Sequence, residues 1–360
     1  MSPSPTVGGA LGGSNPEYVN ARVRARRASL FDEEEYRKLV RMGPSAIARY
    51  MEETEYEREI NELGTRYSGV DLIEYALHKN MARHFHEILD WSEGRLYELL
   101  AAYLRKYDEW NVKTIIRGIY SEIPAEEIET DLIRAGEFDD AFLERLASAE
   151  TIEDAVELLD GTIFGPATAE AYEEYERSGT LVPLENAIDR TFYESLLADV
   201  PSPRPEPDTA VGQYIEVLEA EIDFRNVINA LRLARSGASV DPSEYFIEGG
   251  TLFSATELSG LVADQDALVD RIAASTYGRR LEGPLGDLAE ADSLIAFEHA
   301  LDAALLQYSD RLSYLYPTSV ASVLSYILAK EREVENVRAI ARAKEVDMPE
   351  EEIERELVIT

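Results

Sequence analysis

The sequence predicts an all-α chain made of three tandem homologous helical domains. Three observations carry this expectation. Good helix formers (Ala, Leu, Glu, Arg) dominate from Asp32 onward, and long alternating runs of β-branched residues are missing. A box of the form Asn-Val-x-x-apolar-apolar-Arg occurs at Asn111–Arg117, Asn226–Arg232 and Asn336–Arg342, with copies 115 and 110 residues apart. Two further motifs flank each box in the same order. Self-similarity at a fixed period marks one structural unit used repeatedly.

In chain order, residues 1–14 are Gly/Ser/Pro-rich and read as a disordered tail. Ser14-Asn15-Pro16 is a helix start, because a cap residue precedes a proline that fits the first turn. The helix that follows carries Arg22, Arg24, Arg26 and Arg27, a basic cluster in an acidic protein. It reads either as a solvated face or as a set of partners for acidic groups elsewhere. The first flanking motif, apolar-Glu-x-Ala-apolar, stands upstream of each box at Glu74, Glu185 and Glu298. Downstream of each box, Pro124, Pro242 and Pro349 are followed by acidic residues, which is a helix-start signal. The Glu-to-Asn distance is 37, 41 and 38 residues in the three copies. The middle one is longer because it contains Pro201-Ser202-Pro203-Arg204-Pro205-Glu206-Pro207, so that stretch reads as an insertion within a domain. The expected division is a tail at 1–14, then repeats at 15–123, 124–241 (with a Pro-rich insertion at 201–208) and 242–360.

On a helix at 100° per residue, Val112, Ile115, Ile116 and Ile119 form one apolar stripe. Val227, Ala230, Leu231 and Ala234 repeat it, as do Val337, Ile340 and Ala341. Arg117, Arg232 and Arg342 lie roughly 150° from the stripe centre and should face water or another protein of an assembly. Asp108, Asp223 and Glu333 precede the asparagines by three residues and lie about 30° from the stripe centre. A carboxylate there sits at an open helix end, or it is buried and must be paired, since an unpaired buried charge costs several kcal/mol. Asn111, Asn226 and Asn336 lie at the stripe edge, where an amide can bridge to a neighbouring helix's backbone. The box therefore reads as repeated helix packing in which the arginines alone are free to meet a partner.

Composition bounds the function. Net charge is −36, from 71 acidic and 35 basic residues, and only six of the basic residues are lysines. Such a surface suits a cytoplasm at high salt, where charge repulsion is screened within about 3 Å at 1 M, and points to a halophilic source. It argues against a nucleic-acid partner, which needs a basic face. Without cysteine there is no disulfide, thiolate metal site or Cys nucleophile. The N-terminus lacks the basic and apolar regions of a secretory signal. The most apolar stretch, 320–329, is far shorter than the ~20 residues a membrane helix needs. There is no phosphate-binding Gly-x-x-x-x-Gly-Lys-Ser/Thr loop. His84-Phe85-His86-Glu87 is the one cluster with metal-like chemistry, and residues two apart on a helix do not face each other. No catalytic, cofactor or metal residue is expected.

The three-fold box, the opening helix Tyr18–Arg26 and Glu109-Trp110-Asn111-Val112 through Arg117 resemble the C subunits of the archaeal A-type ATP synthases, the family that includes the d subunits of V-type ATPases. The resemblance covers nearly the whole chain after the tail. It implies a pseudo-threefold funnel of three helical domains and a non-catalytic central-stalk part of a rotary, proton-driven ATP synthase. One end would sit on the membrane proteolipid ring, formed by the K subunits, and the other would receive the axle, formed by the D and F subunits. The chain would then be peripheral to the cell membrane on its cytoplasmic side. The other reading of the repeats is a helical scaffold with no rotor role.

Overall fold

The computed structural model describes residues 13–198, 205–206, 209–236, 241–288 and 294–358. The expected tail and Pro-rich insertion lie outside the described residues, apart from positions 13–14 and 205–206. Among the described residues the regular structure is entirely helical.

Three sets of long helices organise the chain. The first is α5 (Gly69–Trp91), α6 (Gly94–Leu104) and α7 (Lys106–Tyr120). The second is α12 (Val182–Ala198) and α13 (Ala210–Ser236). The third is α17 (Ile295–Leu315) and α18 (Val320–Glu345). Each last helix carries one copy of the box. Short helices follow: α8 (Ala125–Asp131), α9 (Asp140–Ala147), α10 (Ile152–Leu158) and α11 (Gly165–Ser178) after the first set. A 3₁₀ turn (Pro242–Tyr245), α14 (Ala255–Leu261), α15 (Gln265–Ala273) and α16 (Gly278–Leu288) follow the second. After α18, among the described residues, α19 (Glu350–Glu356) stands alone. The helices that would continue the third set stand at the other end of the chain: α2 (Glu33–Val40), α3 (Pro44–Met51) and α4 (Glu57–Leu63), preceded by α1 (Pro16–Arg27).

Local chemistry ties these short helices together as equivalents. Asp32, Asp139 and Ser254 cap α2, α9 and α14 by accepting from a backbone N–H three residues on. Before α4, α11 and α16 the chain makes the same hydroxyl turn three times. Thr54, Thr162 and Ser275 donate to the carbonyls of Met51, Leu159 and Ile272, and accept from the N–H of Tyr56, Phe164 and Tyr277. α2 packs on α18 and α19, and α3 packs on α18 and α5.

Most of the apolar stripe of each box is fully buried: Val112, Ile115 and Ile116; Val227, Ala230 and Leu231; Val337, Ile340 and Ala341; Ile119 and Ala234, at its far end, are only partly buried. The most apolar stretch of the sequence is the first half of α18, where residues 320–328 are all buried. It runs among α17, α5 and α1, which is why it reads as apolar on every face. No helix among the described residues is long and apolar enough to cross a membrane.

α1 is a strap between the first and third sets. Arg22 stacks over the Trp91 ring at 4.7 Å, and Arg26 donates to His84 and pairs with Glu87. On the opposite side Asn20 donates to the Ser319 carbonyl, Arg24 to the Pro317 carbonyl, and Arg27 to Ser325 and Asp310. The basic cluster is thus an internal set of partners for both sides of one junction.

Candidate functional site

The acidic residue before each box is buried in all three copies. Asp108 accepts from the backbone N–H groups of Glu137 (2.8 Å) and Phe138 (3.0 Å). Asp223 accepts from the N–H groups of Thr251 and Leu252, both at 2.8 Å, from the Thr251 hydroxyl and from the Tyr277 hydroxyl (3.0 Å). Gly136 and Gly250 stand beside these carboxylates, where a Cβ would collide with Asp108 or Asp223. The third copy finds its partners earlier in the chain. Glu333 instead accepts from the N–H of Phe31 (2.5 Å), the Tyr56 hydroxyl (2.6 Å) and the buried Lys330 ammonium (2.8 Å). The longer Glu side chain thus anchors the N-terminal segment in the same way. Burial pushes the Asp108 carboxyl up to about 6, with the two N–H bonds opposing. Asp223 is also raised by burial.

Each asparagine staples its helix to one later residue by two hydrogen bonds. The amide of Asn111 donates to the Ile133 carbonyl and accepts from its N–H, both at 2.8 Å. Asn226 does the same with Ile247, and Asn336 with Val358. The partner is a loop residue beyond the next short helix, not the neighbouring helix expected at the stripe edge. The amides lie at 0–3% exposure, so losing one strands two buried backbone groups.

The box arginines each meet a glutamate of the upstream motif, always in the next set. Arg117 donates to Glu185 (2.6 Å) and Arg232 to Glu298 (2.7 and 3.0 Å). Arg342 returns from the last set to Glu74 of the first (2.9 Å), joined there by Arg338 (2.7 Å). First to second, second to third and third to first make a closed circuit. Burial alone would push the Glu74 carboxyl up, but the Arg342 and Arg338 hydrogen bonds outweigh it and hold it below the usual range. The sequence marked both ends of these pairs as motifs but gave no sign that they join.

Between the box helices lies a cavity of about 250 Å³. Its lining includes Lys106 and Trp110 from α7, Glu221 and Arg225 from α13, and Glu331 and Glu335 from α18. These are equivalent positions, five and one residues before the box asparagine, so they stack on one face at i, i+4 spacing. Sequence reasoning missed them because it tracked what repeats, and the position just before the asparagine differs in all three copies. Lys106 pairs with Glu331 (2.9 Å), and Arg332 with Asp302 and Glu335.

The histidine cluster does not converge. His84 is buried, with its Nε2 accepting from Arg26 and its Nδ1 donating to the Tyr326 hydroxyl (2.7 Å), and burial beside Lys330 and Arg26 depresses it to about 2. His86 is exposed, and Glu87 turns to Arg26 and Arg83.

In this arrangement the polar groups staple helices and close a circuit around a cavity. Comparison with known proteins accords with it. The family described as ATP synthase (C/AC39) subunit matches residues 19–356. The chain belongs to this family. A protein of Haloferax volcanii, named as the C subunit of an A-type ATP synthase, is 64% identical, over 97% of this chain and 99% of its own length. One so named from Halobacterium salinarum is 57% identical over 97% and 99%. Its namesake in Methanosarcina mazei is 34% identical over 97% and 94%. The greatest of these identities are to proteins of halophilic archaea, as the acid excess anticipates. Within the ATP synthase (C/AC39) family, an all-helical chain with a closed internal circuit is a structural component.

Proposed function

We propose that this chain is a non-catalytic central-stalk subunit of a rotary ATP synthase. It couples the axle, made of the D and F subunits, to the membrane proteolipid ring of K subunits during proton-driven ATP synthesis. It sits peripherally on the cytoplasmic side of the membrane, as a funnel of three helical domains with pseudo-threefold symmetry. The observation that carries this reading is the circuit Arg117–Glu185, Arg232–Glu298, Arg342–Glu74. A circuit that returns to its start defines an axis, and an axle needs a coaxial seat. Distributed, internally paired polar contacts also suit a part that transmits torque without deforming.

We place the domains by their hydrogen bonds. A boundary at 123/124 would separate Asn111 from Ile133, and one at 241/242 would separate Asn226 from Ile247. The units we propose instead begin at α5, α12 and α17, and residues 31–64 complete the third. The test is co-purification of the tagged chain at high salt. Recovery of the axle proteins and the proteolipid ring is expected. Recovery of neither would leave a helical scaffold with no rotor role.

A further inference from the structure

The three contacts between successive sets share an arginine–glutamate pair, and the first of them has a second tie of a different kind. On α7, Glu109 and Lys113 are both buried and stand one turn apart on one helix face. The Lys113 ammonium touches the Glu109 carboxyl and, across the contact, donates to Asp189 of α12 (2.5 Å). The Glu109 and Asp189 carboxyls also hydrogen-bond to each other. Two carboxyls form such a bond only when one keeps its proton, because two carboxylates in contact repel. The other groups facing the pair are Tyr193 of α12, neutral because burial pushes its hydroxyl far up, and Arg225 and Glu221 of α13. Arg117, one turn beyond Lys113, is held by Glu185.

The pair holds its proton on one side. Burial pushes the Glu109 carboxyl up against the pull of Lys113, and Asp189 adds to the rise. Burial acts on Asp189 too, but its bond to Glu109 and the Lys113 and Arg225 cations outweigh it and hold that carboxyl low. Glu109 lines the cavity of about 250 Å³, and Lys113 and Asp189 line another of about 370 Å³. Both have room for water at ~30 Å³ a molecule, so the proton can exchange without unfolding. The other two contacts are built differently. Phe224 and Val334 take the place of Glu109, Ile228 and Arg338 that of Lys113, and Asp302 and His78 that of Asp189. Asp302 meets Arg332. His78 is depressed to about 4 by burial and by Arg338, so it stays neutral above that pH.

We propose that the contact between the first and second sets is a proton-operated joint, tied while Glu109 donates to Asp189 and loosened when that proton leaves, and that the other two contacts do not respond. The joint goes beyond the rotor reading and does not depend on it. An acid with a raised folded value contributes its full stability below ~4.3 and loses it as pH rises through the folded value. Alkaline conditions therefore loosen one contact of three.

Glu109→Gln copies the protonated acid, since its amide still donates to Asp189. Amide exchange of the full native and variant chains is compared at matched pH from about 5 to about 8, so that intrinsic rates and the titration of Asp108 cancel. The native-to-variant ratio of rates in α7 and α12 should grow at least about tenfold over this range, since one proton changes the opening constant by up to tenfold per pH unit. The ratio where α13 meets α17 and where α18 meets α5 should stay constant. A ratio in α7 and α12 that does not move with pH overturns the joint, as does one that grows equally at all three contacts. A second measurement separates the shared proton from burial alone. Asp189→Asn should weaken the proton affinity of Glu109 at least about tenfold, read as the carbon-13 titration midpoint of its carboxyl. An unmoved midpoint means that burial alone holds the proton, and the joint fails.

Discussion

The junction between the third and first proposed units differs from the other two. Backbone joins the first unit to the second and the second to the third, so each of those contacts forms at high effective concentration. The polar ties are lightest at the second of these. The second junction has Arg232 on Glu298 with the arginine more than half exposed, and Ile228 stands where the first has Lys113. Lys113 reaches Asp189 across the first junction (2.5 Å). At the closing junction the backbone link runs only through residues 31–64, which are themselves held to α18 by side-chain contacts. There two arginines converge on Glu74, a buried carboxylate, and α1 ties Trp91, His84 and Glu87 on one side to Ser319, Ser325 and Asp310 on the other. Closing a loop of some three hundred residues costs entropy that grows with the logarithm of its length. Side-chain contacts must offset it, and this is where the most polar ties are found.

The largest effect on this comparison should come from Glu333→Gln. It removes the charge facing the fully buried Lys330. Breaking a buried pair costs about 3–5 kcal/mol, read as a lower urea midpoint at constant salt.

The first unit offers a pH test. Asp108 is raised to about 6, against ~3.9 in the unfolded chain. An acid with a raised folded value contributes its full stability below ~4 and loses it as pH rises through about 6. Two units correspond to about 3 kcal/mol. Asp108→Asn should flatten the stability profile between those pH values. Asp223 has the Tyr277 hydroxyl, whereas the first copy has Phe164 at the equivalent turn. Phe164→Tyr is therefore expected to lower the Asp108 value, as read by NMR titration; an unchanged value would break the equivalence of the two turns.

At the junctions themselves, Glu74→Ala should cost about 2 kcal/mol, less than a fully buried pair because both arginines are half exposed. Arg232→Ala should cost at most about 1 kcal/mol. Equal losses in urea unfolding would erase the contrast. The Glu74 carboxyl is held low, so its contribution is present above ~4.3 and is lost as pH falls through its folded value. The smallest effect concerns helix ends. Glu122 and Asp347, each eleven residues beyond a box asparagine, adopt positive φ of 57° and 54°. Asp347→Gly should raise stability by up to about 1 kcal/mol by relieving that strain, seen as a small rise in Tm.

Much of this organisation is legible in the sequence because repetition exposes it. The acid, asparagine and arginine of each box, and the glutamate upstream, all stand at fixed spacing. Completion of the third unit from the N-terminus is not legible by spacing, since a circular arrangement breaks the order on which a tandem repeat is recognised. A signal does exist in Thr54-Glu55-Tyr56 against Thr162-Ile163-Phe164 and Ser275-Thr276-Tyr277, but three residues of loose similarity have no weight without their hydrogen bonds. The arginine–glutamate pairs cross between units, so no periodicity within a unit reveals them. The cavity residues just before the asparagines are hidden for the opposite reason: that position differs in all three copies.

The claim that the two chain ends complete one unit is tested most directly by amide hydrogen exchange on Glu333→Gln beside the native chain. Faster exchange is predicted at Phe31 and through α2, α3 and α4, some three hundred residues away in sequence, while Glu137, Phe138, Thr251 and Leu252 keep their protection. Faster exchange confined to α18, with residues 31–63 unchanged, would contradict it.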